Sequence, residues 1–453
     1  MISDAVLLSR LQFAFTLGYH ILWPAFSIGM AGFLVFLNAA WLRTRRPVYL
    51  QLATFWTRIF GLAFGMGVVT GVVISYELGT NWSGFALATA DVLGPLLSFE
   101  VLTAFFLEAG FIGILLFGRG RVSDKLHLAA SIIVATGTIF SAFWILSANS
   151  WMQTPQGFDV IDGRFVATDW FKVVFNPSFP YRFAHMVLAS YIAGTFVVLG
   201  VSGFYLARRR HVEFAGTAFS ICLWMALVLV PAQLVVGDAH GLNTRAHQPV
   251  KLAAIEGRWE TASEAPLNLF AIPNQKAERN DFEVAVPYLG SLILTHDLHG
   301  EIKGLKEVPP DRRPPVLIVF FAFRIMVACG MAMLGVAVLG AFLRWRGRLA
   351  SAHWFHYLCV AATPLGFIAI LAGWVVTEVG RQPFVVYGFL LTANAASPVA
   401  PPAIASTLLA FFVVFNLLLL GFFWYAGRLV MRGPSATALP IPQPTITPRV
   451  SHA

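Results

Sequence analysis

Few ionisable residues stand inside the long apolar runs of this sequence, and those that do are of types that bind metal or carry protons. His20, His185 and Met326 are ligand types for iron, and Glu100, Glu108 and Glu378 are carboxylates set among apolar neighbours. A charged group at membrane depth is costly, so each implies a partner and a function. Taken singly, they leave alternatives open. A lone histidine such as His20, in Leu17-Gly18-Tyr19-His20, is more often a hydrogen-bonded core residue, and His185 reads equally as an interfacial one. Met326 alone would be core filler. Glu100 and Glu108 lie eight positions apart, which in a regular helix is about 80° of rotation and roughly 12 Å of rise. They can line one channel at two depths, Glu108 the deeper, as a proton relay. A structural carboxylate bonded to a neighbouring helix is the plainer alternative. Glu378 lies in Gly373-Trp374-Val375-Val376-Thr377-Glu378-Val379-Gly380-Arg381-Gln382-Pro383 and balances between a functional acid and a salt bridge to Arg381 at a helix end. Arg324 is harder to leave as structure: inside a span it must meet an anion, either a carboxylate from another span or a cofactor acid group.

The elements that position these residues are membrane spans. The chain has 453 residues, 58% hydrophobic and 12% charged, about half the charge of soluble domains. Nine apolar runs of roughly 20 residues or more fall near 12–40, 53–75, 94–117, 125–149, 183–206, 217–236, 316–343, 355–378 and 404–427. The fold class is therefore all-α, a polytopic transmembrane bundle. Residues 1–236 form spans 1–6, 237–315 a polar outer segment, 316–432 spans 7–9, and 433–453 a Pro/Thr/Ser-rich disordered tail. The first run is long enough to span and has no following cleavage site, so it reads as a retained helix.

Basic residues alternate between the connectors. Arg43, Arg45 and Arg46 follow span 1, Arg119, Arg121 and Lys125 follow span 3, and Arg208 to Arg210 follow span 5. Arg344, Arg346 and Arg348 follow span 7, and Arg428 and Arg432 follow span 9. This sets the N-terminus outside and the C-terminus inside. The formal charge of +9 is thus topology and not a nucleic-acid face. His185 and Met326 then share one half of the membrane, where a His/Met pair is one way to hold a low-spin heme, with Arg324 near a propionate. His127, His353 and His356 read as interfacial, and His211, His240, His247, His296, His299 and His452 lie outside the spans without zinc spacing. Cys222, Cys329 and Cys359 sit in apolar runs with no CxxC pair. Within the outer segment, Val250-Lys251-Leu252-Ala253-Ala254-Ile255-Glu256 reads as helical.

The sequence resembles subunit I of the cytochrome bd-type quinol oxidases over nearly its whole length. The matching stretches are Ser9-Arg10-Leu11-Gln12-Phe13-Ala14 leading to His20, Gly79-Thr80-Asn81-Trp82, and Phe105-Phe106-Leu107-Glu108. Trp144-Ile145-Leu146 with Asn149-Ser150-Trp151-Met152-Gln153 and Lys251-Leu252-Ala253-Ala254-Ile255-Glu256 follow. Phe321-Ala322-Phe323-Arg324-Ile325-Met326-Val327-Ala328-Cys329-Gly330 and Gly380-Arg381-Gln382-Pro383 complete the set. The resemblance implies His185 and Met326 as axial ligands of a low-spin heme b, with Arg324 beside it. It implies His20 and Glu378 as ligands in a di-heme site of a high-spin heme b and a heme d, in an assignment that differs among members, with Trp374 and Arg381 near the cofactors. Glu100 belongs beside that site, and Glu108, Ser141 and Asn149 to the proton route. Lys251 and Glu256 fall in the outer Q loop, where the family oxidises quinol; a carboxylate there is a reasonable base.

Two departures from the family pattern stand out. The outer segment passes from Phe270-Ala271-Ile272-Pro273 to span 7 in about 40 residues, like the short-loop, cyanide-insensitive branch, in which a further heme b can stand in place of heme d. Phe384 follows Gln382-Pro383 where tryptophan is expected. The resemblance implies ubiquinol or menaquinol and O2 as substrates, a paired subunit II with room for a small accessory subunit, surrounding lipid, and a bacterial inner membrane with the Q loop on the periplasmic side. Proton motive force would arise without pumping. Two rival readings are a proton-coupled transporter, which predicts no chromophore, and a membrane b-type cytochrome, which needs no site at His20 and Glu378.

Overall fold

A computed structural model describes residues 2–434. The disordered tail expected over 433–453 lies outside the described residues from 435 onward. Among the described residues, nine helices are long and apolar enough to cross a membrane. They are Asp4–Thr44, Pro47–Thr80, Ser83–Phe117, Asp124–Gln153, Trp170–Ala207, Val212–His247, Pro310–Trp345, His353–Val379 and Pro401–Arg432, spans 1 to 9. The chain is a multi-pass membrane protein.

Most spans outrun their apolar windows, because a helix continues past the bilayer wherever its backbone bonds are still satisfied and nothing breaks it. Span 6 is the clearest case. It carries on past residue 236 through Asp238 and Arg245 to His247, so the polar segment begins as an extension of that helix. Proline at the first helical turn starts span 2 at Pro47 and the short helix Pro249–Glu256. Ser123 caps span 4 by accepting from the Leu126 N–H at 3.3 Å. The Pro249–Glu256 helix stops at Gly257, whose φ of +60° suits the left-handed closing position.

The all-helical expectation describes the membrane part. Outside it, three antiparallel hairpins form: β1 (Phe158–Ile161) with β2 (Arg164–Ala167), β3 (Leu267–Asn274) with β4 (Arg279–Val286), and β5 (Phe384–Val386) with β6 (Leu390–Leu391). The β3–β4 pair runs from Leu267 opposite Val286 to Asn274 opposite Arg279. It folds over the Pro249–Glu256 helix, joining Asn268 Nδ2 to the Glu256 carbonyl at 3.1 Å and Asn280 Nδ2 to the Gly257 carbonyl at 2.9 Å.

Spans 1 and 5 form the centre, each with 61% of its most apolar window buried, against 11% for span 9. Span 1 packs on spans 2, 4, 5, 8 and 9, and span 5 on spans 1, 4, 6 and 8. Without a hydrophobic drive between helices in lipid, close approach depends on small residues. Gly29 and Gly194 meet across spans 1 and 5, where a Cβ on Gly29 would lie 2.3 Å from the Ser190 carbonyl oxygen. The same device joins spans 5 and 8, where a Cβ on Gly366 would lie 2.7 Å from Ala193 Cα. Replacing Gly29 with valine should therefore spread spans 1 and 5, cost about 1–3 kcal/mol, and lower the thermal midpoint of the purified protein in a fluorescence melt.

Candidate functional site

The iron-ligand types gather at the ends of spans 1, 5, 7 and 8 that lie toward the outer segment. His185 stands near the start of span 5. Its Nδ1 is buried with no hydrogen-bond partner, and Gly237 of span 6 faces its ring with room for a Cβ only at 3.4 Å from Cε1. His240 packs edge-on to it at 5.5 Å between ring centroids; placed outside the spans by the sequence reading, it belongs to the extended span 6 helix. Met326 of span 7 faces Gly373 of span 8, where a Cβ would be 3.0 Å from the sulfur. Both ligand types thus pack closely against glycines, where a larger residue would crowd them. His20 is held from one side: its Nδ1 pairs with Thr70 Oγ1 at 2.9 Å and its ring lies over Gly71. Such an engaged nitrogen orients the ring and leaves Nε2 for a metal. Trp374, beside Gly373, packs between the Ile21–Ala25 side of span 1 and the Phe179 end of span 5.

Glu378 closes the region from outside. Asn149 Nδ2 of span 4 donates to its Oε1 at 3.0 Å, Arg381 donates to its Oε2, and Arg182 donates to Asn149 Oδ1. The reading of Glu378–Arg381 as an ion pair at a helix end is geometrically right, yet the pair is far from isolated. Lys251, 4% exposed, enters from the outer segment and donates to Gln248 Oε1 at 2.8 Å and to Gln153 Oε1 at 2.5 Å. Its methylenes lie over Gly380, where a Cβ would meet Cγ at 2.9 Å. Gln153 Nε2 in turn reaches the Thr377 carbonyl at 3.4 Å. Burial pushes the Lys251 amine well below its ordinary pKa; Arg182 and Arg381 add to the shift and Glu378 opposes it. Arg182, Arg381 and Lys251 thus surround a single carboxylate. Arg182 Nε and Arg381 Nε and Nη1 are buried without partners.

Arg324 does meet an anion, and the carboxylate comes from an element other than the span expected. Its Nη2 pairs with Glu256 Oε2 at 3.4 Å, and Glu256 comes from the outer segment and not from another span. The guanidinium also donates to the Ile255 carbonyl at 2.6 Å and the Asn268 carbonyl at 3.0 Å, and lies 3.4 Å from the Phe320 ring centroid. Glu256 is 3% exposed, and burial raises its pKa against the downward pull of Arg324 and Arg258. A cleft lined by Leu242, Arg245, Pro249 and Leu252 opens beside this helix, with a volume of about 390 Å³.

Between Glu100 and Glu108 the helix is not regular. Residues Val101–Phe105 form a π turn, which takes up one extra residue. The separation then behaves as seven residues, and the angle between the two side chains falls from about 80° to about 20°. The turn is held by Thr103, whose hydroxyl donates to the Phe99 carbonyl at 2.6 Å and accepts from Trp144 Nε1 at 2.8 Å. Both carboxylates now face span 4, about two helical turns apart. Ser141 Oγ donates to Glu100 Oε1 at 2.7 Å, and Glu108 lies over Gly137, where a Cβ would be 2.8 Å from its Cγ. Ser141 and Asn149 lie further along the same span, so carboxyl, hydroxyl and amide groups follow span 4 toward Glu378.

Several site groups escaped the sequence reading. Arg182 is not singled out by the sequence, although its position three residues before His185 is a signal. Gln153 and Gln248 carry no charge to draw notice. Glu77 is fully buried in span 2 and accepts from Thr16 Oγ1 at 2.9 Å and Gln12 Nε2 at 3.3 Å. Thr16 and His20 share a face of span 1, and a carboxylate in an apolar run was itself the available signal.

The sequence pattern of the family described as cytochrome bd terminal oxidase subunit I matches residues 8–434. Cytochrome bd ubiquinol oxidase subunit 1 of Bacillus subtilis (strain 168) is 34% identical over 424 residues, covering 91% of each chain. Cytochrome bd-II ubiquinol oxidase subunit 1 of Escherichia coli (strain K12) is 32% identical over 501 aligned positions, covering 96% of this chain and 98% of that one. Those positions outnumber the 453 residues here, so that relative has residues without a counterpart in this chain. The solved bd oxidase from Geobacillus thermodenitrificans superposes with a TM-score of 0.88 at 32% identity, over 95% of this chain and 99% of that one.

The Glu108–Gly137 contact gives a direct check on the carboxylate pair. Gly137→Ala places a methyl against Glu108, and the infrared carboxyl band that Glu108→Gln removes should shift in frequency in Gly137→Ala. An unmoved band would mean that the two groups are not in contact.

Proposed function

The chain belongs to the cytochrome bd terminal oxidase subunit I family and is the heme-bearing subunit of a quinol oxidase that works with a partner subunit; from that premise we propose which of its residues do the work. His185 and Met326 hold a low-spin heme b. His20 and Glu378 serve the di-heme site, with a high-spin heme b and a heme d or a further heme b in its place. When bound, the hemes supply one-electron transfer and the iron at which O2 is reduced to water. The partner is subunit II, the membrane is a bacterial inner membrane, and the outer segment faces the periplasm.

The observation that carries this reading is the excess of buried cations. Arg182, Arg381 and Lys251 share one carboxylate, Glu378, and three of their N–H groups are orphaned. Buried charge without a counter-ion is strongly unfavourable, and buried donors left unmade cost about 1–3 kcal/mol each. The cluster therefore fits a ligand with acid groups, and heme propionates have that chemistry. His185 Nδ1, buried without a hydrogen-bond partner among the described residues, fits a ligand atom, and glycines keep bulk away from His185, Met326 and His20.

Around that centre the chain's own groups divide the proton work. Glu256, raised by burial and held by Arg324, receives a proton from quinol on the outer side, and Lys251 orients the quinol oxygen. Protons for water formation enter from the inner side at Glu108 and pass by Glu100, Ser141 and Asn149. Their crossing generates potential without a pump, each charge being worth about 2.3 kcal/mol per 100 mV. The short outer segment and the surplus positions in the E. coli relative favour the short-loop branch.

A reduced-minus-oxidised spectrum with and without carbon monoxide tests the assignment. Met326→Leu or His185→Ala should remove the low-spin bands and leave the CO response, and His20→Ala should remove the CO response. Heme bands with no CO response in the native protein would instead indicate an electron carrier.

Glu256 adds a pH signature. A base with a raised pKa is lost to protonation as pH falls through that value, so quinol oxidation should decline toward acid pH. Glu256→Gln should slow it about 10²-fold or more and flatten the acid limb with heme bands unchanged. For the inner route, Glu108→Gln should abolish potential generation in proteoliposomes, and full retention would overturn that route.

A further inference from the structure

On the membrane face that carries the arginine clusters, far from the groups assigned above, a cleft of about 650 Å³ opens between the ends of spans 5 and 7 and the starts of spans 6 and 8. Its lining combines three kinds of surface. Arg209, Arg344, His353 and His356 supply positive or donor groups, Leu206, Val212, Phe219 and Leu349 supply an apolar wall, and no carboxylate lines it. Arg344 is fixed in place: its Nη2 donates to Ser220 Oγ at 2.9 Å and its guanidinium lies 5.2 Å from the Trp224 ring centroid. Arg209 has no side-chain partner among the described residues.

Beneath them, His356 is 1% exposed; one ring nitrogen faces the Leu349 carbonyl, and neither makes a well-formed hydrogen bond among the described residues. Buried ring nitrogens are nearly always satisfied, so the nitrogen away from Leu349 points to a polar group supplied from outside the chain. Trp224 lies under the Arg344 guanidinium, Trp345 and Trp354 adjoin Arg344 and His353 in sequence, and all three are more than half exposed. Exposed tryptophans at span ends belong at the level of lipid headgroups.

We propose that this cleft binds an anionic membrane phospholipid, its phosphate between Arg209, Arg344 and His356 and an acyl chain along the Leu206–Phe219–Leu349 wall. Arginine recognises phosphate through paired N–H donors, and basic pockets between spans on the inner side suit acidic headgroups. The apolar wall and the exposed tryptophans favour a lipid over a free anion. Residues 435–453 follow Gly433, which lies against His211 at the edge of this region. They contain Arg449 and no acidic side chain, so they complement the cleft poorly.

The test uses the complete oxidase with its partner subunit, purified in mild detergent and presented with phosphatidylglycerol or phosphatidylcholine, with retained lipid read by native mass spectrometry. Phosphatidylglycerol should be retained preferentially. Arg209→Gln and Arg344→Gln should each weaken retention about fivefold, and the pair about 30-fold, with heme absorption unchanged. Should the pair fail to assemble, Arg209→Gln alone decides, since that side chain has no partner to lose. Equal retention of phosphatidylcholine, competition by inorganic phosphate at matching concentration, or retention insensitive to the substitutions would overturn the proposal. Stronger lipid binding on deleting residues 435–453 would make the tail the occupant and overturn it as well.

Discussion

Three buried cations around one partly exposed carboxylate set the terms for the rest of this molecule. Arg182, Arg381 and Lys251 come from span 5, the turn after span 8 and the outer segment, and they converge on Glu378 with Asn149 and Gln153 of span 4. At low dielectric such a set is costly unless further acid is present. Four separate parts of the chain are therefore committed to one point. The propionates of the proposed heme would complete the charge balance that the protein leaves open.

The outer segment is bound to this centre at two places. Lys251 reaches into the cluster, and five residues later Glu256 pairs with Arg324 of span 7. Arg324 stands two residues from Met326, so the site proposed to take electrons from quinol is anchored to the helix proposed to carry an axial ligand. The β3–β4 hairpin lies over the same short helix and supplies the Asn268 carbonyl to the same arginine. This is why so polar a segment folds onto the bundle: its Pro249–Glu256 helix spends both of its charged side chains on the spans.

Departures from regular helix geometry do the fine positioning. Glycines let His185, Met326 and Glu108 pack directly on neighbouring helix backbones, and they bring spans 1 and 5 into backbone contact. The π turn at Val101–Phe105 rotates Glu100 and Glu108 toward a common face, as π turns often do where side chains must be re-aimed. Thr103 and Trp144 hold that turn, so spans 3 and 4 fix the carboxylates together.

Much of this was legible in the sequence. Apolar length and the placement of arginines determined nine spans, since a bilayer sets one length scale and one charge asymmetry. The ordered motifs singled out the family, and they marked His20, His185, Met326 and Glu378 because intramembrane ligand types are rare enough to stand out. Tertiary structure alone decided the partners. The pairing of Arg324 with Glu256 joins residues 68 positions apart, and nothing local in either stretch specifies it. The π turn, the hairpins and the extension of span 6 past residue 236 depend on backbone bonds that composition does not encode. Arg182, Gln153 and Glu77 gain their meaning only from what faces them, because burial and charge balance are properties of the packed bundle.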